Sequence, residues 1–571
     1  MKNNLEKDPS PYLQQHKKNP VFWQCWSKDI LSLAKKEQKP ILLSIGYASC
    51  HWCHVMAHES FEDQETADIM NNYFINVKVD REERPDIDFV FQSSFQLFNN
   101  TGGGWPLTMF LDENGVPFIG GTYFPKVEQN GLPAFKTLLQ KVHEAYKEQK
   151  IKIINQAELI KKSLELKKNP VINQELEPIL EILINNLDPF KGGYKGSPKF
   201  PTFNVHETLL YFFNKKKDEK FLKPVEVLLN QICSKGIYDH VQGGISRYTV
   251  DENWLIPHFE KMLYDNVQFV LLLSKYLKNK TNKYFENKLI QTINFLNLEF
   301  KEKNSFLLGS AYDADSDGEE GKYYIFTYDE IKNIKKINEF FDVKPEGNWE
   351  GKIILSEKKE APAHIIEQLL KIRKNKIKPF FDNKTQLDLN SLWVSALVKA
   401  SLVLPKKNYL KLAVSFFENI EKKFSKNSLF HSYSNEIVFI EDYAFFIQAL
   451  IDLADTTLQI EYRIKAKEYS KLAIDKFYSK SNNIFQKTPL DSDDIFFKPI
   501  DISDHTVPNG NAIMLLNLTK LGFEDEAKKL SISLNGYLNN YKSYMTSSIR
   551  SLDFFNEHLK NKKCTDEGCL L

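Results

Sequence analysis

Two cysteines separated by two residues, Cys50 and Cys53, constrain the fold of this chain more than any other feature, because they follow closely on a short apolar run. The apolar run 41–45 has the character of a buried strand, so we expect the pair at the start of the following helix. The amides and dipole of a helix N-terminus stabilise a thiolate and lower its pKa. We therefore predict that Cys50 is an exposed attacking thiol and Cys53 the resolving thiol. His51, between them, adds positive charge that favours the thiolate.

The segments around this pair follow a fixed order of helix and strand patterns. The predicted elements are helix 28–40, strand 41–45, the helix of the cysteine pair, helix 65–73, strand 74–79, strand 107–111, a hairpin turn at 112–115, strand 116–119 and helix 135–146. This order is typical of a thioredoxin-like α/β domain, in which a cis-proline faces the cysteine pair. Trp105 and Pro106, which lead into strand 107–111, are the candidates for that supporting position.

Two other uses of the cysteine pair are compatible with the sequence. Cys50 and Cys53 can supply half of a zinc site, with three histidines close by, His51, His54 and His58. No second ligand pair follows at finger spacing, however. The run from Cys50 to His54 also matches the pattern for covalent haem attachment. We favour the redox pair, with no metal and no other cofactor.

Beyond the first domain the sequence becomes helix after helix. Residues 147–176 are rich in Lys and Glu and are interpreted as a helical connector between a first domain, 1–146, and a second, 177–571. The helices predicted in the second domain are 205–214, 221–235, 259–277, 283–300, 390–403, 409–424, 440–455, 461–478 and 509–519. Short loops separate pairs of these helices, a pattern that predicts helical hairpins closed into a ring.

Charge and hydropathy exclude several classes of partner. The 571 residues carry a formal net charge of +1, which gives no sign of a nucleic-acid surface or a polybasic membrane patch. No run approaches the ~18 apolar residues of a membrane span, and residues 1–20 are too polar for a secretory signal. We therefore expect a cytoplasmic protein. In that reducing compartment, Cys25 and Cys233 are interpreted as buried structural cysteines.

Specific motifs recur along nearly the whole chain. They are SPYL (10–13), NPV (19–21), SIGY (44–47), CHWCHVM (50–56), VDREERPD (79–86), GGWPL (103–107), GG (192–193), PKFP (198–201), GGISRY (243–248), PHFEKMLYDN (257–266), DADS (313–316), EDYA (441–444) and PNGN (508–511). In these motifs the chain resembles the spermatogenesis-associated protein 20 family, also called YyaL-like thioredoxin-domain proteins. The resemblance implies a thioredoxin-like domain followed by an all-α (α/α)6 barrel, similar to N-acylglucosamine 2-epimerases and six-hairpin glycosidases.

The loops of the second domain carry the residue types that carbohydrate chemistry uses. Carboxylates act as acids and bases on sugars, aromatic rings stack on them, and histidine serves proton transfer. The candidate pocket residues are Arg247, Tyr248, Asp251, Trp254, His258, Glu260, Asp265, Asp313, Asp315, Glu441 and Asp442. We expect Asp251, His258, Glu260 and Asp265 to line one pocket. The same residues can instead be helix caps and a satisfied polar network. Calcium is disfavoured because Tyr324 stands where its bidentate Glu belongs.

Three functional hypotheses follow. The leading one is a thiol-disulfide oxidoreductase module, with an unknown redox partner protein, fused to a carbohydrate-binding or carbohydrate-modifying barrel. The second makes the barrel a sugar epimerase or glycoside hydrolase and the first domain regulatory, and the third is a non-catalytic interaction protein. A second cysteine pair, Cys564 and Cys569, lies at the C-terminus and can act as an electron shuttle to the first pair, or be idle.

Overall fold

The computed structural model describes residues 1–129, 131–167, 175–425, 428–433 and 437–566. The chain forms two compact units. Unit 1 comprises Met1–Lys167, Ser432–Ser434 and Gln486–Ile500, and unit 2 comprises Lys168–His431, Asn435–Phe485 and Asp501–Leu571. No helix among the described residues is both long enough and apolar enough to cross a membrane.

A four-stranded sheet lies at the centre of unit 1. Its strands are β1 (Ile41–Gly46), β2 (Ile75–Asp80), β3 (Leu107–Leu111) and β4 (Pro117–Gly121), in the order β2-β1-β3-β4. β1 runs parallel to β2 and antiparallel to β3, which pairs antiparallel with β4. Every residue of β1, β2 and β3 is buried, because helices cover both faces of such a sheet. This is the predicted thioredoxin-like domain.

The helices of unit 1 include two that the sequence patterns do not predict, at 11–15 and 85–99. They are α1 (Pro11–Gln15), α2 (Lys28–Glu37), α3 (His51–Met56), α4 (Gln64–Tyr73), α5 (Pro85–Asn99), α6 (Phe135–Glu148) and α7 (Lys150–Ser163), with a π-helical turn at Ala57–Phe61. α5 is absent from the sequence prediction, although Pro85 begins it and Ile87, Val90 and Phe91 are buried. α7 lies inside the expected connector but buries Ile153 in unit 1, so the first domain does not end at 146.

A distant segment, Gln486–Ile500, also belongs to unit 1. Ile495 and Phe496 pack against the hydrophobic core of the sheet. The Asp494 carboxylate accepts a hydrogen bond from Arg84 at 2.7 Å, and its backbone carbonyl accepts one from the Trp26 indole at 3.1 Å. The predicted boundaries assigned this segment to the second domain, because sequence order alone cannot reveal a segment that returns to an earlier core.

Unit 2 is built from helices and short strands. Its helices are α8 (Glu177–Asn186), α9 (Phe203–Lys216), α10 (Glu219–Ser234), α11 (Leu263–Leu277), α12 (Lys283–Glu299), α13 (Tyr328–Ile331), α14 (Ile337–Phe340), α15 (Ala363–Arg373), α16 (Leu387–Val403), α17 (Tyr409–Phe424), α18 (Ile440–Thr457), α19 (Ile460–Phe477), α20 (Gly510–Leu521), α21 (Glu524–Tyr541) and α22 (Thr546–Asp566). Its strands are β5 (Lys261–Met262), β6 (Ala311–Tyr312), β7 (Asp315–Ser316), β8 (Glu319–Glu320), β9 (Phe381–Asp382), β10 (Tyr478–Ser479) and β11 (Ile484–Phe485).

Six of these helices form a closed inner ring. In the order α9, α11, α16, α18, α20 and α22, each packs on the next, and α22 packs back on α9. α10, α12, α17, α19 and α21 each pack outside the inner helix that precedes them, and α8 packs on the turn Lys542–Tyr544 that leads into α22. α11 is buried on nearly every side, as a helix enclosed by others must be. The result is an (α/α)6 barrel.

The inner helices all run in the same direction, since an outer helix that returns along the barrel lies between each inner helix and the next. The loops that precede the inner helices therefore meet at one end of the barrel, which we call the mouth. A small sheet in the order β5-β6-β9 lies there, directly before α11 and α16. Nearly all of the candidate barrel residues precede an inner helix or lie in its first turn, so the fold brings them to the mouth.

Candidate functional site

Cys50 and Cys53 form a disulfide at the beginning of α3, with a Cα–Cα distance of 5.2 Å. Cys50 is the N-cap residue of this helix, and its Sγ accepts a hydrogen bond from the Cys53 amide at 3.2 Å. This is the position that stabilises a thiolate. The expected exposure of Cys50 is not found: it is 3% exposed, because its sulfur turns toward the helix amide. The neighbouring Trp52 is 49% exposed instead.

The Trp105–Pro106 peptide bond is cis and leads directly into β3. The Trp105 indole donates a hydrogen bond to Asp88 at 2.9 Å, and the Arg81 guanidinium lies 3.9 Å from the centroid of its ring. Tyr47, which precedes the cysteines, packs edge-on against the same indole at 5.8 Å. The supporting position of Trp105 is thus held by Asp88, Arg81 and Tyr47, none of which the sequence analysis singled out.

A second group of side chains surrounds the exposed face of α3. His51 packs edge-on against Trp52, and Trp52 packs against Tyr123 with ring centroids 5.2 Å apart. The Tyr123 hydroxyl donates to Glu59 at 2.6 Å. Burial, followed by this hydrogen bond, raises the pKa of Tyr123 to about 12. Tyr123 therefore remains a neutral hydrogen-bond donor beside the disulfide at physiological pH.

At the barrel mouth, a buried ion-pair cluster joins three of the candidate residues. Glu260 is fully buried and accepts a hydrogen bond from Arg247 at 3.1 Å, while His258 Nε2 lies 3.9 Å from the same carboxylate oxygen. His258 Nδ1 is 2.7 Å from Glu320. Burial by itself would lower the pKa of His258, but the Glu320 hydrogen bond and the Glu260 charge raise it overall. The cluster therefore holds a His that favours its protonated form.

A cavity of about 710 Å³ opens beside this cluster. We call it the mouth cavity. Arg247 and Asp265 line it together with aromatic and polar side chains, among them Tyr194, Phe200, Tyr264, Gln268, Asp504, His505 and Tyr544. The Phe200 ring is 42% exposed and stacks on Tyr248 at 4.7 Å, and Tyr248 packs in turn on His258 at 5.0 Å. The size and the mixed apolar and polar lining are typical of a small-molecule site.

Asp251 and Trp254 have structural contacts instead of lining this cavity. The Asp251 carboxylate accepts hydrogen bonds from three backbone amides of its own turn, including that of Asn253 at 2.6 Å. Trp254 is fully buried and donates its indole N–H to the Lys191 carbonyl at 2.6 Å. The predicted set of Asp251, His258, Glu260 and Asp265 is therefore divided: Asp265 lines the cavity, His258 and Glu260 adjoin it through Arg247, and Asp251 caps a turn.

The acidic segment after β6 contributes one group to the cluster. β7 and β8 form a small hairpin, which brings Glu320 to His258. Asp313 is buried and accepts the Asp315 amide at 3.2 Å. Asp315 lies in β7 and is half-buried. The hydrogen bond between Asp313 and Asp315 is typical of a tight loop. Their expected role as pocket residues stays a prediction.

Asp442 belongs to a second buried cluster, with two residues that the sequence analysis missed. Its carboxylate lies 2.8 Å from His431 Nδ1, and one ligand-type atom from each of Asp388, His431 and Asp442 lies within 4.8 Å of the others. Burial raises the pKa of Asp388 to about 7, with Asp442 acting in the same direction and His431 opposing. Glu441 is also buried in this first turn of α18. No periodicity or motif identifies His431, which lies in an irregular loop.

The chain has four further cysteines, Cys25, Cys233, Cys564 and Cys569. Cys25 is half-buried and Cys233 fully buried, and burial raises the pKa of each thiol to about 12, which agrees with a structural role. Cys569 and the side chain of Cys564 lie outside the described residues. Their proposed shuttle function stays a prediction, which disulfide mapping in a Cys53→Ser variant can test.

Comparison with known proteins adds four similarities. Residues 2–165 match the family profile Thioredox_DsbH, "Protein of unknown function, DUF255". The chain is 32% identical to uncharacterized protein B0495.5 of Caenorhabditis elegans, over 91% of this chain and 80% of that protein. It is 27% identical to human spermatogenesis-associated protein 20, over 91% and 76% respectively. In structure it is similar to cellobiose 2-epimerase from Bacillus thermoamylovorans, with a TM-score of 0.44, 10% identity and coverage of 66% of this chain and 95% of that one.

Proposed function

The chain belongs to the spermatogenesis-associated protein 20 family, and from that premise we propose that it combines a thiol-disulfide oxidoreductase in unit 1 with a carbohydrate site in unit 2. The observation that carries the first part is the Cys50–Cys53 disulfide at the N-terminus of α3. The N-cap position makes Cys50 the better thiolate, and Cys53 lies one turn further along the helix.

The reaction exchanges two electrons between this pair and a partner protein. The Cys50 thiolate attacks a partner disulfide and forms a mixed disulfide, releasing one partner sulfur as a thiolate. Cys53 then attacks the Cys50 sulfur, forms the internal disulfide and releases the second partner sulfur. The exposed Trp52 ring beside the pair offers an apolar surface for such a partner.

A redox titration of the full chain in glutathione buffers tests this function. We expect a two-electron couple that is lost in both Cys50→Ser and Cys53→Ser, while Cys25→Ser serves as the matched control and keeps it. Cys53→Ser should accumulate mixed disulfides, because the resolving thiol is missing. If Cys50→Ser accumulates them instead, the two roles are reversed, and the absence of any couple in the wild-type chain would exclude the oxidoreductase.

The second part of the proposal rests on the mouth cavity. Sugar rings stack on aromatic faces, and their hydroxyls hydrogen-bond to carboxylates and guanidinium groups. The Phe200 ring, Asp265 and Arg247 provide these three contacts around about 710 Å³. Glu260, which adjoins the cavity through Arg247, accepts a hydrogen bond from that guanidinium at 3.1 Å and so holds it in place for a ligand.

Calorimetric titration with a panel of hexoses and disaccharides tests the carbohydrate site. We expect binding that falls at least about tenfold in Asp265→Asn and Arg247→Gln, as when hydrogen bonds to charged groups are lost. Glu367→Gln, an exposed change on α15, is the matched control. Binding that is unaffected by either cavity substitution would show that the sugar lies elsewhere, and no binding by any sugar in the panel would exclude this part of the proposal.

A further inference from the structure

A second cavity lies in the barrel of unit 2, toward the end opposite the mouth. We call it the base cavity. It has a volume of about 320 Å³, all six inner helices line it, and it shares none of the described lining residues of the mouth cavity. On α9 its lining begins at Glu207, beyond the mouth-cavity residues 203–205, and on α11 it begins at Ser274, beyond Gln268. The two cavities are therefore separate sites along one barrel.

Positive charge predominates in the lining of the base cavity, which includes five cations and two carboxylates. These charged residues are Lys275, Lys278, Lys399, Lys520, Arg550, Glu207 and Asp452. Glu207 forms ion pairs with Lys275 and with Arg550, the latter at 2.6 Å, and Asp452 forms one with Lys399 at 2.6 Å. The two carboxylates are thus shared by three of the cations.

The other two cations, Lys278 and Lys520, have no such partner. In the part of the chain that the structure describes, no carboxylate oxygen lies within 4.0 Å of either Nζ. Lys278 follows the last residue of α11, and Lys520 lies in the last turn of α20, where the helix dipole favours a cation. Two ammonium groups without carboxylates on one cavity favour a ligand with two negative charges. A phosphate monoester carries nearly that charge at pH 7.

Two oxygen atoms of the lining lack a hydrogen-bond donor. Asp452 is 2% exposed, and its Oδ1 accepts from Lys399, but its Oδ2 has no hydrogen-bond partner among the described residues. Gln448 Oε1, one turn earlier on α18, is likewise buried and without a partner there. Burial alone would raise the pKa of Asp452, but Lys399 and Lys520 lower it overall, so this side chain is a charged acceptor. Buried acceptors cost free energy unless a donor reaches them, and ligand hydroxyls are such donors.

The size and the apolar part of the lining restrict the ligand further. A volume of about 320 Å³ is at the lower limit of the ~300–1,000 Å³ that is usual for ligand pockets, so the ligand is small. Leu516 on α20 and Phe554 on α22 add half-buried apolar surface. Such a surface suits the C–H groups of a carbon skeleton, which an inorganic anion does not have.

We propose that the base cavity binds a small phosphorylated sugar or polyol. Lys278 and Lys520 hold its phosphate, and its hydroxyls donate hydrogen bonds to Asp452 Oδ2 and Gln448 Oε1. This site is additional to the carbohydrate site proposed at the mouth and does not depend on it.

Calorimetric titration of the full chain with glucose 6-phosphate tests the site. We expect binding that becomes at least about tenfold weaker when Lys278→Gln and Lys520→Gln are combined, as when hydrogen bonds to charged groups are lost. Neither lysine has an ionic partner, so the double variant should fold, which circular dichroism verifies. Lys471→Gln, an exposed change on α19, is the matched control and should bind as the wild type does.

Two further variants identify the recognised group and the place of binding. Gln448→Leu should weaken the binding of glucose 6-phosphate about fivefold, as for one hydrogen bond, and leave that of inorganic phosphate unchanged, because inorganic phosphate has no sugar hydroxyls. Inorganic phosphate should also bind the wild type more weakly than glucose 6-phosphate does. Arg247→Gln, at the mouth cavity, should leave the lysine-dependent binding unchanged.

Three results would overturn the proposal. They are an absence of glucose 6-phosphate binding, an affinity that is unchanged in the folded double variant, and inorganic phosphate that binds as tightly as the phosphorylated sugar. Loss of the binding in Arg247→Gln would place the ligand at the mouth and overturn the proposal as well. The hexose panel reports on the mouth cavity and this titration on the two lysines, so the failure of one site is distinguishable from that of the other.

Discussion

Replacing Glu260 by Gln should destabilise unit 2 and simultaneously change the titration of His258. Glu260 is fully buried and accepts from Arg247 at 3.1 Å. Removing one member of a buried pair typically costs 3–5 kcal/mol because the other charge stays buried. Arg247 is 7% exposed, and a Gln oxygen can still accept its hydrogen bond, so the cost should be about 3 kcal/mol, at the lower limit of that range.

The corresponding shift in melting temperature follows from the size of unit 2. A unit of roughly 390 residues unfolds with an entropy of about 0.8 kcal/mol/K. A loss of about 3 kcal/mol therefore lowers Tm by about 4 °C in calorimetry. Glu320→Gln, whose side chain is 28% exposed, is the control and should cost at most about 1 kcal/mol. Arg247→Met combined with Glu260→Gln should cost less than the two single changes together, because no charge is then left without its partner.

The same substitution tests the electrostatics of His258. Its pKa is raised in the folded protein by Glu320 and Glu260. Protonated His258 thus stabilises the fold fully below the unfolded pKa, and this contribution is lost as the pH rises through the folded value. Glu260→Gln should lower the His258 pKa, which histidine NMR can follow, and flatten the stability profile in that range. A Tm within 1 °C of wild type and an unchanged His258 titration would refute this account of the cluster.

Three further predictions concern other parts of the chain. Asp388→Asn should reduce the fall in the barrel's Tm between about pH 4 and pH 7, because the folded pKa of Asp388, about 7, exceeds its unfolded value of about 3.9 and its stabilising contribution is lost across that interval; parallel profiles for the two proteins would contradict this. Asp494→Ala should destabilise unit 1 by about 1.5 kcal/mol in denaturant unfolding, since Arg84 loses one of its two carboxylate partners and keeps Asp86, whereas exposed Asp491→Ala should have little effect. Cys25 and Cys233 should resist iodoacetamide at pH 8 in the native chain, because their pKa values are about 12; rapid labelling of either would show that it is not held as described.

The features that the sequence predicted well are those encoded over short distances. The strands at 41–45 and 107–111 and the cysteine pair follow from local hydrophobicity and the Pro106 signal, and each lies within a residue or so of its predicted place. α5 was missed because the charged run before Pro85 and the glycines after it suggested a loop, while its apolar residues face the sheet. Its helical period is present in the sequence but was outweighed by these flanking signals.

The candidate site shows where local patterns stop being informative. Arg247, His258 and Glu260 were all among the predicted pocket residues, and backbone pairing between 247–249 and 257–260 brings these three together. Asp251 and Trp254 lie between those two segments, where Asp251 accepts backbone amides of its own turn and Trp254 donates its indole N–H to the distant Lys191 carbonyl. His431 and Asp388 are 43 positions apart, and they meet because α16 and α18 are neighbours in the ring. A contact that depends on ring closure leaves no spacing signal in the sequence.

The buried lysines of this chain differ in whether a carboxylate lies beside the ammonium group. Lys261 donates to Asp239 at 2.7 Å, and Arg373 from α15 donates to the same carboxylate at 2.7 Å. The two cations hold the pKa of Asp239 below its usual range, and burial lowers the pKa of Lys261 to about 8 although Asp239 opposes that shift. Lys384 likewise pairs with Asp382 at 2.9 Å. These lysines have the ionic partners that a permanent buried charge requires. Lys78 is equally buried, yet among the described residues it has Ser44 and three aromatic rings in place of a carboxylate. Burial without an ionic partner holds the pKa of Lys78 well below its usual range, whereas Lys384 keeps a buried carboxylate beside its charge.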